Sequence, residues 1–257
     1  MHTAVRDGSW RLEVYAAVGL QLSVLLALEE LVSMSAAGWV AAVAYLGLLC
    51  VGVGVGWLRL NRDVPDAVDR SLGPANLITL ARALLVGAVI ALVVSSLAEE
   101  WSAEQRALTV GLAVVGVILD GVDGRVARRT RSSSPFGARF DVEIDSVLAL
   151  ALAVGLAWAL TPLALVIGLA RYLYLAAALV WPWLNRPLPD RWSRKIIGVS
   201  GSAALIVASS GLLPPTVAVA LVAVATVAVL YSFGRDVVAQ HRLGRAADGD
   251  APDQAAR

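Results

Sequence analysis

Residues 120–145 read DGVDGRVARRTRSSSPFGARFDVEID and set four carboxylates, Asp120, Asp123, Asp141 and Asp145, in or against long apolar stretches. An ionised acid in such a setting is costly unless a strong counter-charge offsets it, and a bound divalent cation supplies one. The acids recur at three- and four-residue steps. On helical segments that spacing puts Asp120 and Asp123 on one face, and Asp141 and Asp145 on one face of the next helix. Two helices that each present a pair of acids suggest a metal cage.

The sequence on either side of this stretch is that of a membrane protein. The chain of 257 residues is 58% hydrophobic and its mean hydropathy is +0.74. Apolar windows lie at about 12–31, 38–58, 75–97, 105–121, 142–160, 163–183, 196–212 and 214–233. Most are near the roughly 20 residues that a spanning helix needs. They predict an all-α, polytopic transmembrane bundle of eight spans, or of six or seven if the weakest are discounted. The weakest are the first, which ends in Glu29 and Glu30, and the fourth, which has Arg106 near one end and Asp120 at the other.

Charge placement tests this layout, because Lys and Arg accumulate in short cytoplasmic loops. Arg6 and Arg11 precede the first span, and Arg59, Arg62 and Arg70 separate the second from the third. Arg125, Arg128, Arg129 and Arg131 fall between the fourth and fifth, and Arg186, Arg191, Arg194 and Lys195 between the sixth and seventh. Arg235, Arg242, Arg245 and Arg257 follow the eighth, whereas 32–37, 98–104, 161–162 and 211–215 contain no Lys or Arg. The expectation is a multi-pass cell-membrane protein with both termini and the acid-rich stretch on the cytoplasmic side. The start MHTAVRDGSWR lacks an adjoining cleavable signal pattern, so the amino terminus is expected to be retained. A net charge of +1 and the absence of an aromatic-basic module argue against nucleic acid, leaving anionic membrane phospholipids as the simpler partner. Cys50 is the one cysteine, which excludes an internal disulfide and reads as a packing residue. Tryptophans near the expected span ends, including Trp39, Trp57, Trp101, Trp181, Trp183 and Trp192, read as interface anchors.

The polar stretch NRDVPDAVDRSLGPAN at 61–76 divides the chain. Residues 1–60 are expected to form an accessory helix pair, 61–74 a cytoplasmic linker, 75–235 a six-span core and 236–257 a polar cytoplasmic tail without a fixed fold. The run VGVGVG at 51–56 reads as membrane helix, with Gly52 and Gly56 able to permit close helix contact.

Chemically, four acids with no Cys or His nearby favour a hard, oxygen-seeking cation, Mg²⁺ or Mn²⁺. A two-metal site could orient a phosphoryl group and stabilise its attacking and leaving oxygens. Crowded carboxylates also raise one another's proton affinity, so one of them could accept a proton. The same acids could instead serve a cation transporter or channel, or an ion-pair network with Arg128, Arg139 and Arg171 in an inactive scaffold. Their clustering at one membrane side, with an arginine-rich stretch between the pairs, favours capture of an anionic substrate over passage of a cation.

The pattern Asp120-x-x-Asp123-Gly124-x-x-Ala127-Arg128, then eight residues, then Gly137-x-x-x-Asp141-x-x-x-Asp145 resembles the signature of the CDP-alcohol phosphatidyltransferases throughout. The six-span core covers the region usual for that family, and the first two spans look additional. The resemblance implies transfer of the phosphatidyl part of a CDP-linked lipid to a polar alcohol, with release of CMP. It also implies two Mg²⁺ or Mn²⁺ ions and a homodimer. By similarity Asp120, Asp123 and Asp141 are metal ligands, and Asp145 is the base that activates the acceptor hydroxyl while also contacting metal. Asp120, Gly124, Ala127 and Gly137 lie by the CDP group, and Arg128 contacts phosphate or braces the acids.

Upstream, NLITLAR sets Asn76, Thr79 and Arg82 at three-residue steps, so one side of a helix carries polar groups. This resembles the family's first core helix, except that Ala75 separates Pro74 from Asn76. Asn76 and Thr79 are expected near the nucleotide, with helix capping or interhelical hydrogen bonding as the plainer role. Downstream, Arg171 interrupts the sixth span, and RWSRK supplies Arg191, Arg194 and Lys195. The family binds acceptor phosphate or lipid diphosphate in this region, whereas anchoring to lipid headgroups is the plainer reading.

Overall fold

A computed structural model of the chain describes residues 10–60, 71–98, 101–130, 134–185 and 192–249, without the side chains of 60, 123, 127–130, 192–195 and 242–249. The described residues form α1 (Trp10–Val32), α2 (Ala36–Leu60), α3 (Pro74–Ser95), α4 (Ala103–Thr130), α5 (Pro135–Ala159), α6 (Ala164–Val180), α7 (Trp192–Ser209) and α8 (Pro215–Gly249), and no strand. Each expected apolar window coincides with a helix. Six helices, α1 to α5 and α8, are long and apolar enough to cross a membrane, while α6 and the apolar part of α7 are shorter. Pro182 explains the length of α6. It disfavours helical geometry at Trp181, and a 3₁₀ turn at Pro182–Asn185 follows.

Helix ends depart from the hydropathy windows where caps and prolines decide them. Helix α4 continues through the basic segment to Thr130, so Arg125, Arg128 and Arg129 stand on its last turns and not in a loop. Nothing between 103 and 130 breaks a helix by removing a backbone donor, because the next proline is Pro135. That proline opens α5 as its first residue, and the Gly137 N–H donates to Ser134 Oγ at 3.0 Å, a capping contact. At the other end of α4, Ser102 and Gln105 form a reciprocal capping box, with N–H bonds of 3.1 and 3.3 Å to each other's side chains. Helix α8 runs to Gly249, so the stretch expected as an unstructured tail is helical that far.

The chain forms two compact units, Met1–Gly155 and Leu156–Arg257. In the first, α3 is the most deeply buried helix, with α1, α2 and α4 packed on it. Small residues make this close approach possible. A Cβ at Gly38 of α2 would collide with Ser95 and with the Ala91 carbonyl of α3, and one at Gly87 of α3 would crowd the fully buried Gln21 amide of α1. Gly56 likewise meets Phe136, at 3.0 Å from an added Cβ, whereas Gly52 faces open space. Polar bonds fix the helix ends. Glu29 accepts from the Met34 N–H at 3.0 Å and the Trp39 Nε1–H at 2.8 Å across the α1–α2 turn, and the Tyr45 hydroxyl donates to the Ala83 carbonyl of α3 at 3.0 Å. Gly73 precedes α3 at φ +87°, where a residue without Cβ is unstrained, and Pro74 starts the helix.

In the second unit α8 packs against α6 and α7. The Gln240 amide donates to the Leu184 carbonyl at 2.7 Å, and the Tyr174 hydroxyl joins the same carbonyl at 3.1 Å, tying α8 to α6 and the 3₁₀ turn.

Candidate active site

Helix α3 enters the acid cluster with an arginine. Asn76, Thr79 and Arg82 fall one turn apart, and all three are buried, at 4%, 3% and 2% exposure. The first two bond back four residues along the chain, Asn76 Nδ2 to the carbonyl of Leu72 just before α3 at 2.7 Å and Thr79 Oγ1 to the Ala75 carbonyl at 3.2 Å. Arg82 reaches across to two other helices. Its Nε–H donates to the Gly116 carbonyl of α4 at 3.1 Å, one turn before Asp120. One terminal nitrogen stands 3.1 Å from Asp120 Oδ1 and pairs with Asp141, and the other pairs with Asp145. A single guanidinium therefore gathers one acid of α4 and two of α5.

Arg82 is a counter-charge beside the cation that the sequence points to, whereas the alternative ion-pair reading set Arg128, Arg139 and Arg171 against the acids. Arg139 is exposed, the Arg128 side chain lies outside the described residues, and Arg171 is a partly buried residue of α6 in the second unit. Arg82 shares the three-residue spacing of Asn76 and Thr79, but the site residues expected from the sequence do not include it. The signal that finds it is its position within a mostly apolar helix, where a guanidinium needs acids to face.

One oxygen each from Asp120, Asp141 and Asp145 lies within 4.8 Å of the others. The three acids are partly exposed, so the cluster opens outward. With all three ionised, Arg82 offsets one charge and two remain, at a site whose donors are all carboxylate oxygens. That donor set fits a hard divalent cation. Asp123 follows Asp120 on α4, but its side chain, like those of Ala127 and Arg128, lies outside the described residues. Gly124 is on the same helix, partly buried.

Gly137 meets Asn76. A Cβ at 137 would collide with Asn76 Oδ1, so the room left by the missing side chain is filled by the Asn76 amide, and α5 approaches the start of α3 closely. The first unit thus brings together Asn76, Arg82, Asp120, Gly137, Asp141 and Asp145. Arg191 and the side chains of Arg194 and Lys195 lie outside the described residues.

Against known proteins, the family model for CDP-alcohol phosphatidyltransferase matches residues 73–233. No curated protein and no solved structure matches the chain.

Proposed function

The chain belongs to the CDP-alcohol phosphatidyltransferase family, and from that premise we propose that it transfers the phosphatidyl group of a CDP-linked lipid, such as CDP-diacylglycerol, to the hydroxyl of a polar alcohol and releases CMP. The observation that carries the reading is the convergence of Asp120, Asp141 and Asp145 on one buried arginine, with carboxylate oxygens within 4.8 Å of one another.

In this reading Mg²⁺ or Mn²⁺, as two ions held by Asp120, Asp123 and Asp141 with Asp145 in contact, would supply the positive charge that offsets the diphosphate and the departing CMP. Asp145 takes the proton of the acceptor hydroxyl. The acceptor oxygen then bonds to the phosphorus that bears the lipid, the bond from that phosphorus to the CMP oxygen breaks, and the electron pair leaves with CMP. Arg82 holds Asp141 and Asp145 in fixed register one helical turn apart, so that base and ligand keep their spacing through the reaction. Asn76, Thr79, Gly124, Ala127 and Arg128 border the nucleotide, Gly137 acts by admitting Asn76, and Arg171, Arg191, Arg194 and Lys195 bind phosphate on the acceptor or the donor.

The protein works as a homodimer in a cell membrane, with the acid cluster and both termini facing the cytoplasm. The alternation of arginine-rich and arginine-free connections along the sequence supports that orientation.

The test incubates the purified, detergent-solubilised protein and its Asp145→Asn variant with CDP-diacylglycerol, Mg²⁺ or Mn²⁺ and a panel of alcohols, following CMP and lipid product together. The expected result is a metal-dependent lipid product that the variant loses by a factor of roughly 10² or more. Failure to bind CDP-diacylglycerol at all, in folded protein, overturns the reading.

A further inference from the structure

The family match begins at residue 73, so α1 and α2 lie outside it. Both nevertheless reach the end of the first unit where the acids of α5 begin. On α1, the Glu13 carboxylate accepts a hydrogen bond from the Ser71 hydroxyl and another, at 2.8 Å, from the Leu72 N–H. The Leu72 carbonyl in turn accepts from Asn76 Nδ2, and Asn76 fills the space above Gly137, one helical turn before Asp141. On α2, the Trp57 ring meets the Phe136 ring edge-on with centroids 5.5 Å apart, and Phe136 stacks on Phe140 at 5.5 Å. Gly56 gives Phe136 room for that contact. Trp57, Phe136 and Phe140 are all buried.

Two separate contact chains, one polar from α1 and one aromatic from α2, thus end on the first turn of α5, at Gly137 and at Phe136. We propose that the added N-terminal helix pair is a positioning element for the acid-bearing helix, with Glu13 and Trp57 as its positioning residues. Glu13 sets the start of α3 and, through Asn76, the height of α5, while Trp57 sets the rotation of α5 about Phe136. Asp141 and Asp145 stand on the next turns of that helix and inherit both settings. Glu13 bonds to Ser71 and Leu72 and the Trp57 ring meets Phe136, so their effect on the acids passes through backbone placement. The part of the inference that concerns turnover rests on the transferase reading, and the part that concerns α5 does not.

The experiment compares the full chain with Glu13→Ala, Trp57→Ala and Trp39→Phe by hydrogen exchange, and by CMP release where the parent chain releases CMP. Trp39→Phe removes the Glu29 bond at the opposite end of the same helix pair and serves as the control. Exchange over 136–145 is expected to quicken about tenfold in Glu13→Ala and in Trp57→Ala, and to stay at the parent rate in Trp39→Phe. The rate of CMP release at saturating acceptor falls roughly 10- to 100-fold in the two alanine variants, with a smaller change in acceptor KM, as expected when catalytic groups are misplaced. Glu13→Gln keeps an acceptor oxygen for the Leu72 N–H but loses the charge, and quickens exchange only about threefold. Trp57→Phe keeps an aromatic edge against Phe136 and behaves likewise. If the alanine variants do not accumulate, these two carry the test through the same amides. Unchanged exchange over 136–145 in the Glu13 and Trp57 variants, or an equal increase in Trp39→Phe, overturns the inference. A parent chain that releases no CMP while its exchange pattern responds as expected supports the positioning role and counts against the transferase reading.

Discussion

Arg82 is the residue on which the acid cluster turns. A guanidinium is planar and presents its donors in a fixed fork, so it can hold three carboxylates from two helices where a lysine ammonium would act as a single point. Removing it leaves three acids without their counter-charge. Arg82→Met is therefore expected to destabilise the metal-free protein by about 3 kcal/mol, at the lower end of the cost of breaking a buried pair because the acids themselves are partly exposed. Thermal unfolding in EDTA measures this. Mn²⁺ is expected to raise the unfolding temperature of Arg82→Met more than that of the parent, because the ion relieves the same repulsion that the arginine relieved. An equal rise in both proteins would show that Arg82 and the ion do not share the carboxylates. From sequence, the acids and their spacing were readable. Their partner was not, because pairing depends on which helix packs beside them, and several other arginines, Arg125, Arg128 and Arg139 among them, were nearer in the chain.

At the scale of elements, the approach of α3 to α5 depends on the absence of a side chain at Gly137. Gly137→Ala is expected to cost about 1–3 kcal/mol, since a methyl group must displace the Asn76 amide or push the helices apart. Asn76→Ser in the same chain removes the obstructing amide. A double-mutant cycle read by thermal unfolding should therefore show that the two costs are less than additive. The amino-terminal cap of α4 is a second local device, and Ser102→Ala is expected to cost about 1 kcal/mol. The sequence S-x-x-Q at 102–105 is a readable cap signal, as is Ser134 before Pro135. Hydropathy alone ended α4 near 121 because it scores the charged turns that follow as loop. A helix continues through charged residues wherever water can reach their side chains and no proline intervenes, and α4 does so to Thr130.

For the whole molecule, the prediction concerns the membrane. Broad apolar faces, among them Leu48, Val51, Leu179, Val224 and Val227, are exposed on helices of spanning or near-spanning character, as bilayer contact requires. In a Cys50→Ala background, Leu212→Cys in the turn before α8 is expected to react with a membrane-impermeant maleimide on intact cells. Arg125→Cys at the acid end of α4 is expected to react only after permeabilisation. The reverse order would invert the proposed orientation, and reaction of both from outside would overturn it. Chelation offers a further check at this scale. EDTA should lower the unfolding temperature of the detergent-solubilised parent, and Mn²⁺ should restore it, if the acids hold an ion in the resting protein.

By itself the sequence determined that the chain is all-helical and apolar enough for a membrane, and that it carries four acids in paired helical register within the pattern of one enzyme family. Those properties are local or compositional, written in the spacing of charges, the length of apolar runs and the caps and prolines at helix ends. Only the tertiary structure decided that Arg82 is the residue among the acids, that Asn76 occupies the space over Gly137, and that α1 and α2 reach the start of α5 through Glu13 and Trp57. Each joins residues far apart in the chain, 59 positions for Arg82 and Asp141. Such pairings depend on which helix faces pack together, and hydrophobic periodicity, nearly uniform around membrane helices, does not specify those faces.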